Sequence, residues 1–162
     1  MGICASELRH YVIRPTLKQL GNYTSGMEEL LMATAAQESG LGSHLKQKHH
    51  RGMGVFHIDA KTHERIWDDY LAKKPELASL VRGLASQHMF LENPHSELAT
   101  NLIYSTAIAW CIYTSQDAPI PKRKDIHGIA KCWQHYFHGS HASQSDFIRH
   151  YQEYIDKDSM AA

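Results

Sequence analysis

The sequence predicts one all-α domain, with a short β ribbon near residues 54–59 as its single exception. Its 162 residues suit one domain that spans residues 1–162. Turn-forming residues divide the chain into helical segments, and no internal repeat, low-complexity run or long linker interrupts them. Apolar residues make up 43% of the chain and charged residues 21%, a balance typical of a folded domain rather than a disordered one.

The first two helices have the clearest boundaries. A helix is expected over residues 8–21, with a kink or break at Pro15 because proline lacks an amide donor. Ser25 and Glu28 have the spacing of a capping box, in which Ser25 covers open amides and Glu28 reaches back. The helix that follows, from Met27 to about Ser39, is apolar over a wide surface. We therefore expect it to be the central buried helix.

The rest of the chain is expected to be helical apart from one loop region. Residues 43–54 are polar and rich in Gly and His, which predicts a loop, whereas the β-branched run 55–58 predicts one strand of the ribbon. The apolar segment 95–115 is expected to pack against the helix of residues 27–39. Further helices are expected at residues 62–73, 75–90, 125–138 and 144–156.

The charge balance, the length of the apolar runs and the first residues each exclude a class of function or location. Seventeen basic residues match seventeen acidic ones, so no excess of Lys and Arg is left to neutralise the phosphates of a nucleic acid. No apolar run approaches the roughly 20 residues that cross a bilayer, and the first residues lack the pattern of a secretory signal. We therefore expect synthesis in the cytoplasm without a signal peptide, no membrane insertion and no nucleic-acid partner.

Thirteen histidines are the one unusual feature of the composition. They would make the chain cationic in mild acid and favour an anionic polymer such as a cell wall, although drift of solvent-facing positions to His explains the count at least as well. A metal site is the competing interpretation of three spacings: His49-His50, His57 with His63, and the series His135, His138 and His141. The chain has no HExxH motif and no CxxC spacing, and Gly139 breaks the last series. We expect no metal and no cofactor.

Glu38 is the candidate for catalysis. It ends the apolar helix beside a glycine turn, where apolar neighbours and the negative end of the helix dipole both disfavour the carboxylate anion. Both effects favour the protonated carboxyl that a general acid needs at neutral pH. The alternative is a surface glutamate at a fraying helix end.

Three motifs around Glu38 resemble a known family. The dipeptide Glu38-Ser39 is followed by the segment GVFHID at residues 54–59 and then by Thr62-His63. This order resembles the lysozyme-like superfamily, in the branch that holds the lytic transglycosylases and the goose-type lysozymes. The resemblance implies an all-α domain whose catalytic Glu lies in an E-S dipeptide at the end of a buried helix. It also implies that residues 54–59 correspond to the G-L-M-Q-[IV] segment that lines the sugar cleft.

The resemblance extends over roughly residues 5–155. The helix that opens with Asn101 (NLIYSTAIAW) is similar to the family's N-[IL]-x-x-G-x-x-Y-L helix, and residues 129–133 lie where the family has A-x-x-Y-N-A-G. Small phage-encoded members have a similar order of motifs. Two departures bear on activity: His57 stands in place of the family's Gln, and the Y-N-A-G sequence is missing.

The resemblance implies cleavage of the β-1,4 bond between N-acetylmuramic acid and N-acetylglucosamine in peptidoglycan, with Glu38 as general acid and base. A lytic transglycosylase needs no second carboxylate. An inverting hydrolase keeps a second one about 6.5–9.5 Å away to position water, and Asp59 is the candidate for that role. Asp59 is equally suited to cap the helix near Thr62. The sequence slightly favours the transglycosylase.

The resemblance also indicates which residues would bind substrate: Ser39, His57, His63, Asn101, Tyr104, Trp133 and Tyr136. Several of them have an ordinary structural alternative. The Ser39 hydroxyl is suited to bonding the backbone near the turn, Asn101 to starting a helix, and the aromatic residues to filling the core.

The implied partner is the glycan strand of peptidoglycan, together with other virion proteins if the chain is carried in a phage particle. The implied place of action is the bacterial cell wall, reached from a virion or after the membrane has been permeabilised, as an endolysin does. The alternative function is a catalytically inactive structural or adaptor protein of the virion that retains the fold.

Overall fold

Two buried helices form the centre of the protein in a computed structural model that describes residues 2–138 and 142–157. Helix α3 (Ser25–Ser39) and helix α8 (Leu102–Thr114) carry apolar or small side chains on nearly every face, so both are enclosed by other elements. The hydroxyls of Thr34 and Tyr113 share a hydrogen bond of 2.8 Å between the two helices. The described chain is all-α, as predicted, and the expected packing of these two segments is confirmed.

The N-terminal helix is continuous but irregular. It runs through α1 (Ala5–Glu7), a π-helical segment (Leu8–Ile13) and α2 (Arg14–Gln19). The π-helical turns lie immediately before Pro15, where a proline ring would clash with the preceding turn of a regular α-helix. The irregularity expected at Pro15 is therefore a widened turn rather than a break in the helix.

The predicted capping box at the start of α3 is wrong. Thr24 is the N-cap, and its hydroxyl accepts a hydrogen bond of 3.1 Å from the amide of Met27. Glu28 turns away from the helix end, towards Arg14 at 2.6 Å and Arg9 at 2.9 Å. The two guanidinium groups each carry a full positive charge, whereas a backbone amide carries only a partial one, which explains the choice.

A second carboxylate joins three parts of the chain inside the protein. Glu29 accepts two hydrogen bonds from the guanidinium of Arg9, at 2.8 and 3.1 Å, and its side chain is 2% exposed. Arg123 and the hydroxyl of Tyr151 contact the same carboxylate at 3.2 and 2.8 Å. This network ties the N-terminal helix, the loop of Arg123 and the helix of Tyr151 to α3, so each buried charge has its partners.

The remaining helices follow the predicted order, with two breaks. The predicted helix at residues 75–90 is interrupted at Ala85, and the predicted helix at 95–115 is interrupted at Asn101, which caps α8. The elements are α4 (Ala60–Arg65) with a π segment (Ile66–Tyr70) and a 3-10 turn (Leu71–Lys73), α5 (Pro75–Leu84), α6 (Gln87–Glu92), a 3-10 turn (Pro94–Ser96), α7 (Glu97–Thr100), α9 (Ile126–Trp133) with a π segment (Gln134–His138), and α10 (Gln144–Tyr151) with a π segment (Gln152–Asp156).

The predicted β ribbon is reduced to two isolated bridges in the described residues. Met53 pairs with Lys46 on one side and with Ile58 on the other, and residues 55–58 form no strand. Gly54 and His57 have left-handed φ angles of 79° and 45°, which interrupt an extended strand. A Cβ atom at position 54 would collide with the carbonyl of Leu98, so this turn requires glycine.

No helix within residues 2–138 and 142–157 combines the length and the apolar content that a bilayer span needs.

Candidate functional site

Glu38 lies at the C-terminal end of α3, where Gly40 closes the helix with a left-handed φ of 58°. Its side chain is only 7% exposed, and its carboxyl oxygen Oε1 has two polar neighbours. The indole N–H of Trp133 donates a hydrogen bond of 2.9 Å to this oxygen, and Nδ1 of His138 lies 3.4 Å from it. The carboxyl group therefore has a fixed orientation.

Trp133 and His138 belong to one stack of rings beside this carboxyl group. The imidazole of His138 lies almost parallel to the indole, at 5.3 Å and 12°, and Phe147 stacks on the indole at 4.8 Å and 29°. Trp133 is 1% exposed, so the indole has no open face on which a sugar could stack. The expected aromatic wall is thus covered by an imidazole that is itself 42% exposed.

The pairing with Glu38 raises the pKa of His138. The hydrogen bond to the carboxylate and its negative charge both favour the imidazolium, and they exceed the opposing effect of partial burial. Glu38 therefore faces an N–H donor from Trp133 and a proton carrier in His138. Both groups contact the same carboxyl oxygen, Oε1.

Ser39 connects this helix end to the GVFHID segment. Its buried hydroxyl donates a hydrogen bond of 2.6 Å to the carbonyl of Val55 and accepts one of 2.8 Å from the amide of Gly42. The hydroxyl is fully engaged and 2% of the residue is exposed, which fits the structural alternative rather than contact with a sugar. Its effect is to hold residues 54–59 next to Glu38.

His57 and Asp59 are both engaged locally. The Nε2–H of His57 donates a hydrogen bond of 2.6 Å to the carbonyl of His44, so the imidazole connects two parts of the loop. Asp59 is the N-cap of α4, and its Oδ1 accepts a hydrogen bond of 2.7 Å from the amide of Thr62. The capping alternative for Asp59 is therefore observed.

His63 and Tyr104 lie in the core, in a chain of hydrogen bonds. The indole N–H of Trp67 donates to the Tyr104 hydroxyl at 2.8 Å, and that hydroxyl lies 2.6 Å from Nε2 of His63. Nδ1 of His63 lies 2.9 Å from Nδ1 of His95, which in turn faces Glu64. His63 is 1% exposed and Tyr104 is 0% exposed, so neither side chain presents a surface to substrate.

Asn101 and Tyr136 have structural surroundings as well. Asn101 caps α8 by accepting a hydrogen bond of 3.0 Å from the amide of Tyr104, and its amide group donates to the carbonyl of Leu84 at 3.0 Å. The half-buried ring of Tyr136 packs edge-on against His135 at 4.5 Å. The sequence-predicted residues that meet at Glu38 are thus Trp133 by direct contact and Ser39 as its neighbour in the chain.

His138 is a contact of Glu38 that local sequence patterns do not indicate. Its spacing from His135 suggests only a metal motif, although His138 also lies five residues after Trp133. Within the described residues, no three His, Cys, Asp or Glu side chains converge as metal ligands. Gly139 and His141, on which the metal interpretation also depended, lie outside the described residues.

A groove of about 1330 Å³ lies elsewhere on the protein, and Glu38 is not among its lining residues. Tyr70, Leu77 and Trp110 form part of its wall instead, next to the C-terminal end of α8. Of the two side chains that contact the Glu38 carboxyl, His138 is 42% exposed and Trp133 is buried. No family model, curated protein or solved structure matches this chain.

Proposed function

We propose that this chain is a peptidoglycan-cleaving muramidase that acts on the bond between N-acetylmuramic acid and N-acetylglucosamine. The observation that carries the proposal is the carboxyl of Glu38, fixed at a buried helix end by Trp133 and paired with His138. A preoriented carboxyl next to a second proton carrier is the arrangement that general acid–base catalysis needs. The order of motifs around Glu38 supplies the substrate class.

The reaction proceeds through one carboxyl group. As the sugar displaces His138, the imidazolium leaves its proton on Glu38. Glu38 then gives this proton to the glycosidic oxygen, and the bond between that oxygen and C1 of the muramic acid breaks. The 6-hydroxyl oxygen of the same sugar then bonds to C1, and its proton returns to Glu38. No water is consumed, and the product has a 1,6-anhydro end.

Asp59 supports this route over an inverting hydrolase. An inverting enzyme needs a second carboxylate that is free to activate water. The Oδ1 atom of Asp59 is committed to the amide of Thr62, where it caps α4. We therefore propose a lytic transglycosylase with Glu38 alone as general acid and base.

A second candidate is a catalytically inactive structural or adaptor protein of a virion. The observation that favours it is the closed state of the site, since the Glu38 side chain is 7% exposed and His138 covers the indole. For the muramidase to act, the imidazole of His138 must give way to the sugar. The inactive protein has no such requirement.

The test is digestion of purified cell walls, with the soluble products identified by mass spectrometry. The wild-type protein is expected to release anhydro-muropeptides, and Glu38→Gln is expected to release none. Glu153→Gln, at an exposed glutamate outside the site, is the matched control and is expected to act like the wild type. Undiminished release by Glu38→Gln contradicts the mechanism, and no release by the wild type from any wall type supports the structural protein.

The proposal also fixes where the protein acts. Its substrate lies in the bacterial wall, which a phage protein reaches from the virion or after the membrane has been permeabilised.

A further inference from the structure

The loop that follows Glu38 concentrates positive charge. Between Glu38 and Asp59 the chain contains Lys46, Lys48 and Arg51 but no aspartate or glutamate. The rest of the chain therefore has fourteen basic residues against seventeen acidic ones. The loop is a local basic surface on a body of opposite net charge, which attracts an anion to this place.

The tip of this loop, residues 48–51, is held in a defined conformation. The bridge between Lys46 and Met53 closes its base, and the amide of Gly54 donates a hydrogen bond of 2.8 Å to the carbonyl of Leu45. Across the tip, Nζ of Lys46 donates to the carbonyl of Arg51 at 3.3 Å. All four residues of the tip, with the sequence KHHR, are exposed. A loop whose backbone is held in one conformation loses less conformational freedom on binding than a flexible loop.

The cations of the tip have no internal partner in the described part of the chain. Arg9, Arg14 and Arg123 each contact a carboxylate inside the protein. Lys48 and Arg51 contact none among residues 2–138 and 142–157. Their charges are directed to solvent, where they are available to an external anion.

We propose that the loop tip, residues 48–51, is a docking surface for the carboxylates on the peptides of peptidoglycan. The inference rests on the proposed function for the identity of the polymer. Two observations support it: the loop begins directly after Glu38, and the hydrogen bond from Ser39 to Val55 fastens its far end to the same helix terminus. A glycan strand placed at Glu38 therefore lies at the base of the loop that carries the tip.

A nucleic acid suits this surface less well. Binding of single strands combines basic residues with aromatic side chains on which bases stack. Residues 39–55 contain no Phe, Tyr or Trp, and Phe56 is 1% exposed. The tip offers charge without a stacking surface, which fits a carboxylate polymer.

The experiment measures cosedimentation with insoluble peptidoglycan over a series of salt concentrations. Every protein carries Glu38→Gln, so that the wall stays intact and binding is separated from cleavage. Lys48→Ser with Arg51→Ser is expected to bind about tenfold more weakly, the loss for two exposed charge pairs. Lys122→Ser with Lys124→Ser removes the same charge from another exposed loop and is expected to bind like the parent.

Two further measurements show whether the weaker binding is caused by the lost charges and whether it depends on the carboxylates of the wall. Lys48→Arg with Arg51→Lys retains the charges and is expected to bind like the parent. Peptidoglycan whose carboxylates have been amidated is expected to bind the parent as weakly as the doubly substituted protein binds untreated wall. The inference is overturned if the protein with Lys48→Ser and Arg51→Ser binds the wall as tightly as the parent, or if the parent binds amidated wall fully. It is also overturned if these two substitutions weaken binding to a single-stranded DNA probe, measured in parallel, but leave binding to the wall unchanged. If the wild type cleaves no wall in the digestion assay while the Glu38→Gln protein still shows loop-dependent binding, the muramidase is refuted and the docking surface stands.

Discussion

The indole N–H of Trp133 donates a hydrogen bond of 2.9 Å to Oε1 of Glu38, across 95 positions of sequence. An indole nitrogen can only donate, so this bond holds the carboxyl oxygen as an acceptor. The indole is itself fixed by Phe147, which stacks on it at 4.8 Å. The last helix of the chain thus contributes to the orientation of the carboxyl at the end of α3.

The pair of His138 and Glu38 predicts a pH-dependent contribution to stability. Because the pKa of His138 is raised in the folded protein, the pair stabilises the fold fully below the ordinary pKa of histidine. That contribution is lost as pH rises through the raised pKa. His138→Gln is therefore expected to lower the thermal midpoint most at about pH 5.5 and least at about pH 8.

The measurement is the thermal midpoint of the wild type and of His138→Gln from about pH 5.5 to about pH 8. His127→Gln replaces an exposed histidine at the start of α9 and is the matched control. A difference between wild type and His138→Gln that stays constant with pH would show that the imidazole acts only by packing on Trp133.

Substitution of Asp59 separates capping from catalysis. Asp59→Asn retains an N-cap oxygen for the amide of Thr62 but removes the negative charge. If Glu38 is the single catalytic carboxyl, Asp59→Asn is expected to release as much anhydro-muropeptide as the wild type. Its free energy of unfolding is expected to change only slightly. Asp59→Ala is expected to lower the free energy of unfolding by about 1 kcal/mol through loss of the cap. Loss of cleavage in Asp59→Asn, with folding unchanged, would assign the carboxylate to water activation instead.

His63 predicts a loss of stability in acid. Burial, aided by the neighbouring His95, lowers the pKa of His63 to about 4. Below the ordinary histidine pKa of about 6.5, the unfolded chain takes up a proton that the folded protein refuses, so stability falls as pH falls. The loss from this residue amounts to about 3 kcal/mol at pH 4.

Urea unfolding at about pH 7 and about pH 4.5 checks this prediction. His63→Gln is expected to lose less stability between the two values than the wild type, since glutamine binds no proton. His127→Gln is again the control and is expected to lose as much as the wild type. If His63→Gln follows the wild-type acid dependence, other groups cause it.

The buried network around Glu29 predicts a large effect of one neutral substitution. Glu29→Gln removes a carboxylate that is 2% exposed and pairs with Arg9 and Arg123, and it leaves Glu28 as the remaining carboxylate on Arg9. The free energy of unfolding is expected to fall by about 3 kcal/mol. Asp146→Asn removes an exposed pair with Arg149 and is expected to change it by less than about 1 kcal/mol. If Glu29→Gln and Asp146→Asn lower the free energy of urea unfolding equally, burial of the ion pair does not determine the size of the loss.

Local patterns in the sequence predicted most of the helices. The long apolar run before Gly40 indicated a buried helix and its end, because a glycine with left-handed φ closes a helix without help from distant residues. The capping box failed where a distant partner competed: Arg9 and Arg14 bind Glu28 more strongly than the open amides do. The prediction of a β ribbon is wrong because a strand needs a partner segment to pair with, and the pattern within residues 55–58 does not reveal one.

The sequence by itself determined that an all-α chain places the carboxyl of Glu38 at the end of a buried helix. Only the tertiary structure decided what surrounds that carboxyl. Trp133 and His138 reach it from a helix nearly 100 residues later, whereas His63 and Tyr104 bond each other inside the core. The physical reason is that helix formation depends on neighbours in the chain, while the contacts of a side chain depend on which helices pack together.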